Sequence, residues 1–312
     1  MWRLDEVRPL ALAQGFDAVG VTRPTPVSES EKAVYERWIA EGRHGTMRYL
    51  ERHRGLRYDP MQDEAILPGV RSVIVVAASY YFPFFPPDNA PIISRYALGA
   101  DYHTVMRGKL DELARKMEEK FGPHRSRAIV DTVPFLERYR AEKAGLGFVG
   151  RNRNLILRGR GSYFFLGELL TTLEFEAEEY PAEAPGVHCG SCRKCIEACP
   201  TGALADDGLD ARRCLSYLTI EYRGEIGADE ARQMGRHLYG CDICQEVCPF
   251  NHRPTVSRLF EPRAAVLGLI MEDLRDFTTE KYRALVQDSA LERASYAQMA
   301  RNARIVLKNT KE

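Results

Sequence analysis

The chain has 312 residues, 44 basic against 44 acidic for a formal net charge of zero, with 45% hydrophobic and 28% charged residues. These values exclude disorder, collagen and coiled coil as the main theme, and exclude a protein that coats nucleic acid or membrane through overall charge. The length suits about two domains. No apolar signal core follows Met1, and the uncharged stretch Ser72–Pro87 is broken by three prolines, so a cytoplasmic protein with no export signal and no membrane span is expected.

In chain order, residues 1–60 read as helices, with mixed periodicity at Lys32–Ile39 and Thr46–His53. Arg71–Tyr80, built on Val73–Val76, reads as a buried strand, and Pro83, Pro86 and Pro87 force a loop after it. Thr104–Phe121 is a surface helix with Val105, Leu110, Leu113 and Met117 inward, and Ala128–Val133 is a second strand. A helix at Leu136–Ala144, a short strand at Asn154–Leu157 and an apolar segment at Tyr163–Leu170 complete an α/β (α+β) domain over 1–175. Glu174–Pro185 reads as a linker, 186–254 as a cysteine-rich module with an insertion at Leu204–Tyr239, and 255–312 as a helical C-terminal segment.

All eight cysteines lie between Cys189 and Cys248. Such clustering points to metal rather than disulfides. The run Cys189-x2-Cys192-x2-Cys195-x3-Cys199-Pro200 has the bacterial ferredoxin spacing, in which the fourth thiolate serves a second [4Fe–4S] cluster. A second run, Cys241-x2-Cys244-x3-Cys248-Pro249, lacks its first cysteine, and Cys214 is the candidate to replace it. Crossing the fourth cysteines puts Cys189, Cys192, Cys195 and Cys248 on one cube, and Cys199, Cys214, Cys241 and Cys244 on the other. Paired zinc sites are the rival reading.

Gly145-Leu-Gly-Phe-Val-Gly150 matches GxGxxG, and Glu168 lies where a ribose-binding acid would. A dinucleotide fingerprint must follow a strand and open a helix, whereas here a helix precedes and a strand follows. The preferred reading is a glycine loop that brings backbone close to a large ligand, flanked by Arg138, Lys143, Arg151, Asn152 and Arg153; a helix C-cap followed by a turn is the plainer one.

Several segments together resemble one family. These are Ser94–His103, Asp131–Arg138, Ala141–Gly147, Gly161–Leu170, the first cysteine run and Gly240–Pro249. The family is epoxyqueuosine reductase, the cobalamin and iron–sulfur enzymes that complete queuosine at the wobble position of tRNA. The resemblance implies an N-terminal domain similar to the cobalamin-binding part of reductive dehalogenases, with base-off cobalamin beneath two [4Fe–4S] clusters. It implies reduction of epoxyqueuosine in tRNA, with electrons passing through the clusters to cob(I)alamin and Asp131 as proton donor. An ordinary aspartic acid is ionised at neutral pH, so that role requires a raised pKa. Burial against the corrin face would raise it, Arg138 or Lys143 nearby would oppose that, and the residues alone leave the balance open; His103 is a secondary relay. Family members often carry a C-terminal helical-repeat extension, which this chain, ending at Glu312, would hold only in shortened form.

Candidate corrinoid contacts are Arg57, Tyr96, Asp131, Lys143, Asn152, Ser162 and Asp242, chosen to mix cations with amides and hydroxyls. Tyr222 and Arg223 are the candidate tRNA contacts, one for stacking and one for phosphate. The expected partners are tRNA and an external electron donor, and the expected state is a monomer. Two alternatives share the wiring: a corrinoid-dependent reductive dehalogenase, and a two-cluster electron-transfer protein without catalysis of its own.

Overall fold

A computed structural model describes residues 1–59, 66–181 and 188–310. Its first half is built on a four-stranded sheet. Strand β1 is Ala18–Thr22, β2 is Ser72–Ser79, β3 is Ser126–Ile129 and β4 is Phe164–Thr171, in the order β1-β2-β4-β3. Every pairing is antiparallel, which makes this half α+β rather than a parallel α/β sheet. All eight residues of β2 are buried, as an uncharged Val/Ala run with layers on both faces requires.

Helices α1 (Leu4–Ala13) and α3 (Tyr102–Phe121) cover one face of the sheet. Met106, Leu110, Leu113 and Met117 recur at helical spacing along α3 and are fully buried against Ile74, Val76 and Leu169. The other face is covered by α4 (Glu137–Lys143), whose Ala141 packs with Phe135, Leu155 and Leu157 against Val73, Val75 and Leu170.

The expectation of helices throughout 1–60 is corrected by β1, an edge strand too short and too rich in small residues to stand out. Gly20 within it is forced, because an added Cβ would collide with the Ala144 carbonyl. Helix α2 (Glu29–Ala40) contains the expected Lys32–Ile39, while Thr46–His53 keeps only a 3₁₀ turn at Arg48–Glu51, followed by a short helix at Arg54–Tyr58. The linker expected at Glu174–Pro185 is packed onto the first domain as far as 181. Phe175 is buried and the Tyr180 hydroxyl hydrogen-bonds with Ser72, while 182–185 lie outside the described residues.

Short helices at Lys194–Glu197 and Ile243–Glu246 carry Cys195 and Cys244 of the two runs. The insertion contains α5 (Leu215–Ile220) and the strand His237–Tyr239, which pairs in parallel with Ile92–Ile93 of the first half. Helix α6 (Tyr296–Asn309) is capped by Ser295, whose hydroxyl accepts from the Gln298 N–H. Its Met299, Ala303 and Val306 share one core with Ala97, Leu98, Ile220, Leu238 and Tyr239. The C-terminal segment, the insertion and the 92–98 segment are therefore packed as one unit.

Candidate active site

Asp131 follows the end of β3 in a left-handed conformation, φ 47°, which a non-glycine residue adopts only where its surroundings hold it. Two contacts do so. Its N–H donates to Glu137 Oε1 at 2.7 Å, and its Oδ2 accepts from the Tyr102 hydroxyl at 2.8 Å. Tyr102 is fixed in turn by stacking on Phe165 at 4.3 Å and on His103 at 4.0 Å. His103 lies between two carboxylates: Nδ1 is 2.8 Å from Asp101 Oδ1, and Nε2 is 3.7 Å from Asp131 Oδ2. Asp101 caps α3 through the His103 N–H, so the turn that starts the helix also aims the imidazole.

The charge states follow from these contacts. The Asp131 side chain is 61% exposed. Crowding by its neighbours pushes the carboxyl up, but hydrogen bonds from His103 and Tyr102 outweigh this and hold it below the ordinary carboxylate range. The balance that the sequence leaves open for Asp131 thus falls on the lowered side, against what a proton donor of its own requires. His103 moves the opposite way: the contact with Asp131 raises it, against desolvation, and Asp101 adds to the rise. Burial, followed by the negative charge of Asp131, pushes Glu137 up to about 8, so this carboxyl keeps its proton at neutral pH. Around Asp131, Tyr102 and Glu137 therefore carry protons, and His103 holds one more readily than a free imidazole does.

A cleft of about 260 Å³ separates the first domain from the cysteine module, lined on one side by Tyr80, Ser94, Tyr96, Arg138 and Asn152–Asn154. Cys199, Cys214, Cys241 and Cys244 line the other. Arg138 is common to both sites, because it lines the cleft and its charge is felt by Glu137. Asp242 is buried; it accepts from the Ser94 hydroxyl and from the Arg95 N–H at 2.7 Å, and burial raises it.

All eight thiols are free. Cys195 stands within electrostatic reach of Cys189 and Cys248, and Cys248 within reach of Cys189 and Cys192. Cys241 is likewise near Cys214 and Cys199, and Cys244 near Cys241, Cys214 and Cys195. The crossed fours are compatible with these neighbours, with Cys195 and Cys244 in reach of each other across the two groups. Among the described residues no three metal-ligating side chains converge tightly enough for a single ion. A cube several irons wide takes its thiols farther apart than one ion does. Burial pushes the Cys241 thiol up to about 12 and raises Cys195, Cys214 and Cys248. Four thiolates in such places need a cationic core to exist together, so the donor set fits iron–sulfur clusters.

The glycine loop clamps the two halves together. The helix before it and the strand after it are as expected; that strand, Leu155–Ile156, pairs with Phe148–Val149 inside the loop to make a hairpin, and Gly147 is forced by the Ile156 carbonyl. The hairpin tip reaches the module: the Arg151 N–H points at Cys189 Sγ at 3.4 Å, and Asn152 Nδ2 donates to the Cys244 carbonyl at 3.4 Å. Glu168 is wholly buried in β4, out of reach of any ribose.

Of the candidate corrinoid contacts, Tyr96, Asn152 and Asp242 line the cleft. Asp131 adjoins it through Arg138 and Glu137. Three others are placed elsewhere. Arg57 is buried with its guanidinium 5.3 Å from the Tyr35 ring, Lys143 is exposed over Tyr139, and Ser162 is tied to the module by Gln245 and Asn251. Arg223 is exposed, whereas Tyr222 is half-buried against Tyr217, with its carbonyl held by Arg301 at 2.8 Å. Tyr102 and Glu137 escaped selection although they fall in the segments that carry the resemblance, and Arg138 was named only as a flank of the glycine loop. Tyr49 and Arg293 gave no sequence signal; the Arg293 guanidinium lies 5.3 Å from the Tyr49 ring, bonds to Glu221 at 2.8 Å and bears on the charge of Asp131.

Two family models match: residues 188–251 as a 4Fe-4S double cluster binding domain, and residues 57–132 as epoxyqueuosine reductase QueG, DUF1730. The first supports iron–sulfur clusters over the zinc alternative. The epoxyqueuosine reductase of Pseudomonas aeruginosa is 39% identical over 95% of this chain and 82% of its own. That of Cellulophaga algicola is 34% identical over 96% of each. Among solved structures, the Streptococcus thermophilus epoxyqueuosine reductase superposes with TM-score 0.86 at 28% identity, covering 99% of this chain and 82% of that one. An epoxyqueuosine reductase crystallised with a tRNA-Tyr epoxyqueuosine-modified stem loop gives TM-score 0.82 at 30% identity, covering 99% and 81%. With relatives of this identity matched over nearly its whole length, the chain belongs to the epoxyqueuosine reductase family.

Proposed function

We propose that the chain reduces epoxyqueuosine to queuosine in tRNA, with cobalamin held over the cleft rather than enclosed by it and two [4Fe–4S] clusters on the eight thiols. The observation that carries this reading is one cleft shared by four free thiols and by Arg138, the neighbour of the Asp131–His103 pair. The lining mixes aromatic rings, side-chain amides and a cation, which suits a large ring bearing amide arms and a phosphate, and no histidine is among the lining residues. When bound, the clusters supply single electrons, and the corrinoid supplies a strongly nucleophilic two-electron reductant.

Removing an epoxide oxygen as water consumes two electrons and two protons; delivering the first proton is this chain's own work, and the second is drawn from solvent water. Asp131 presents its carboxylate at the rim, where the substrate oxygen must be protonated as it departs. Since Asp131 is held ionised, the proton is stored on His103 and delivered along the His103–Asp131 contact, while Tyr102 fixes the carboxylate's direction. Tyr96, Asn152 and Asp242 are the corrinoid contacts best supported by position, and Arg223, exposed beside the Arg301-held Tyr222 carbonyl, is the better placed of the two RNA candidates. One chain holds the thiols and Asp131 together, so a monomer is sufficient. Among the described residues no helix is long and apolar enough to cross a membrane, in keeping with work on tRNA in the cytoplasm. Anaerobic incubation with epoxyqueuosine-containing tRNA, cobalamin and reductant, read by nucleoside mass spectrometry, should yield queuosine. Persistence of the epoxide with clusters and corrinoid loaded would refute the reading.

A further inference from the structure

The two thiol groups face different ways. All four cysteines of the second group line the cleft, and none of the first does. The first group lies under surface turns where His188, Gly190, Ser191, Arg193 and Lys194 are exposed, and beside the segment after Cys248 where His252 and Arg253 are exposed. Electron tunnelling falls off steeply with distance, so an electron arriving from outside enters at the first group and leaves towards the cleft from the second.

The entry side is cationic although the chain as a whole is neutral. Arg151 and Arg193 share the single carboxylate of Asp206, which leaves one positive charge over. Lys194 and Arg253 are exposed and form no ion pair among the described residues, and Glu197 is the opposing acid nearby in sequence. A neutral molecule steers a charged partner only through such a local field, which is felt over a Debye length of about 8 Å at physiological salt. RNA is a poorer fit for this collar, because the reacting nucleoside must reach Asp131, whose neighbours Tyr49 and Arg293 lie on segments that contribute no thiol of the first group.

We propose that Arg151, Arg193, Lys194 and Arg253 form the docking surface for a small acidic one-electron carrier protein, which delivers electrons to the cluster on Cys189, Cys192, Cys195 and Cys248. Each encounter oxidises the carrier by one electron and reduces one cube by one; two encounters supply the pair that epoxide removal consumes. The inference rests on the two-cluster reading above and deepens it by naming the entry side and the partner's charge.

Its test follows cluster reduction rather than turnover. Holoenzyme with oxidised clusters is mixed anaerobically with flavodoxin reduced to the hydroquinone, and the loss of iron–sulfur absorbance is timed by stopped flow. The double variant Lys194→Glu/Arg253→Glu should slow the second-order phase more than tenfold at low salt and flatten its salt dependence. Complete bleaching by dithionite should show its clusters intact, and calorimetric titration with oxidised flavodoxin should show a matching loss of affinity. Wild-type rates with flavodoxin would overturn the proposal. So would unchanged donor kinetics together with weakened binding of an anticodon stem–loop, which would assign the collar to RNA. Queuosine formation driven by dithionite is measured separately, so failure of the docking surface and failure of the reaction are told apart.

Discussion

In the proposed reaction, His103 and Asp131 divide the work of one acid between two side chains. A carboxylate held below its usual range is poor at storing a proton but well suited to passing one, and an imidazole flanked by two carboxylates stores it. The signs can be worked through. His103 is raised in the fold, so its contact stabilises fully below the free imidazole value of about 6.5 and fades as pH rises through the raised value. Asp131 is lowered, so its share is present above about 3.9 and is lost as pH falls through the lowered value. Turnover should therefore decline as pH rises through the raised His103 value. His103→Asn is expected to lower kcat by about 10²-fold and to abolish that decline, while Asp131→Asn should retain clusters and corrinoid and lose about 10²–10⁴-fold in kcat. A pH series of single-turnover rates checks both, and near-normal rates for Asp131→Asn would remove it from the proton path. The aspartate itself was legible in the Asp131–Arg138 segment. Its charge state was not, because the deciding partners Tyr102 and His103 come from a helix almost thirty positions earlier, and only the folded sheet brings the two segments together.

Among the elements, the cysteine runs were the most readable, since metal-ligand spacing is a covalent ruler that local structure cannot alter. Cys214 lies outside both runs, yet it reaches Cys241 and Cys199 because the 3₁₀ turn Ala211–Arg213 and helix α5 present it. Cys214→Ala should leave about four iron atoms per chain in place of about eight, and an unchanged iron content would overturn the assignment. The hairpin after the glycine loop was half readable: its turn was visible, its purpose was not, because Ile156 and the module it meets are remote in the pattern. Gly147→Ala drives a methyl into the Ile156 carbonyl, and a loss of about 2–4 kcal/mol in chemical denaturation is expected, with weakened retention of the cluster beside Arg151. Strand β1 was missed for a related reason: what makes it a strand is pairing with β2 from Ala18↔Ala77 to Thr22↔Val73, a property of the partner as much as of its own residues.

Across the whole molecule, helix α6 is a brace rather than an appendage. Asn302 is fully buried and donates to the Thr219 and Leu238 carbonyls at 2.8 and 3.0 Å, and Arg301 donates to those of Leu218, Tyr222 and Gly224. These bonds hold the insertion that carries Cys214 and the Tyr222–Arg223 turn. Asn302→Leu strands two buried carbonyls, so a cost of about 2–4 kcal/mol is expected, with preferential loss of the second cluster in iron analysis and visible spectra. Sequence periodicity announced helices here without showing what they face, since that surface is supplied by residues 92–98 and 215–239.

The interleaving of the two thiol groups also bears on biogenesis. In the crossed assignment proposed above, Cys248 completes the first four and Cys199 belongs to the second, so a nascent polypeptide would finish neither centre until nearly the entire module had left the ribosome. Iron delivery must then follow translation of this region, and a chain cut short before residue 248 would leave the first centre with three thiols and an open corner.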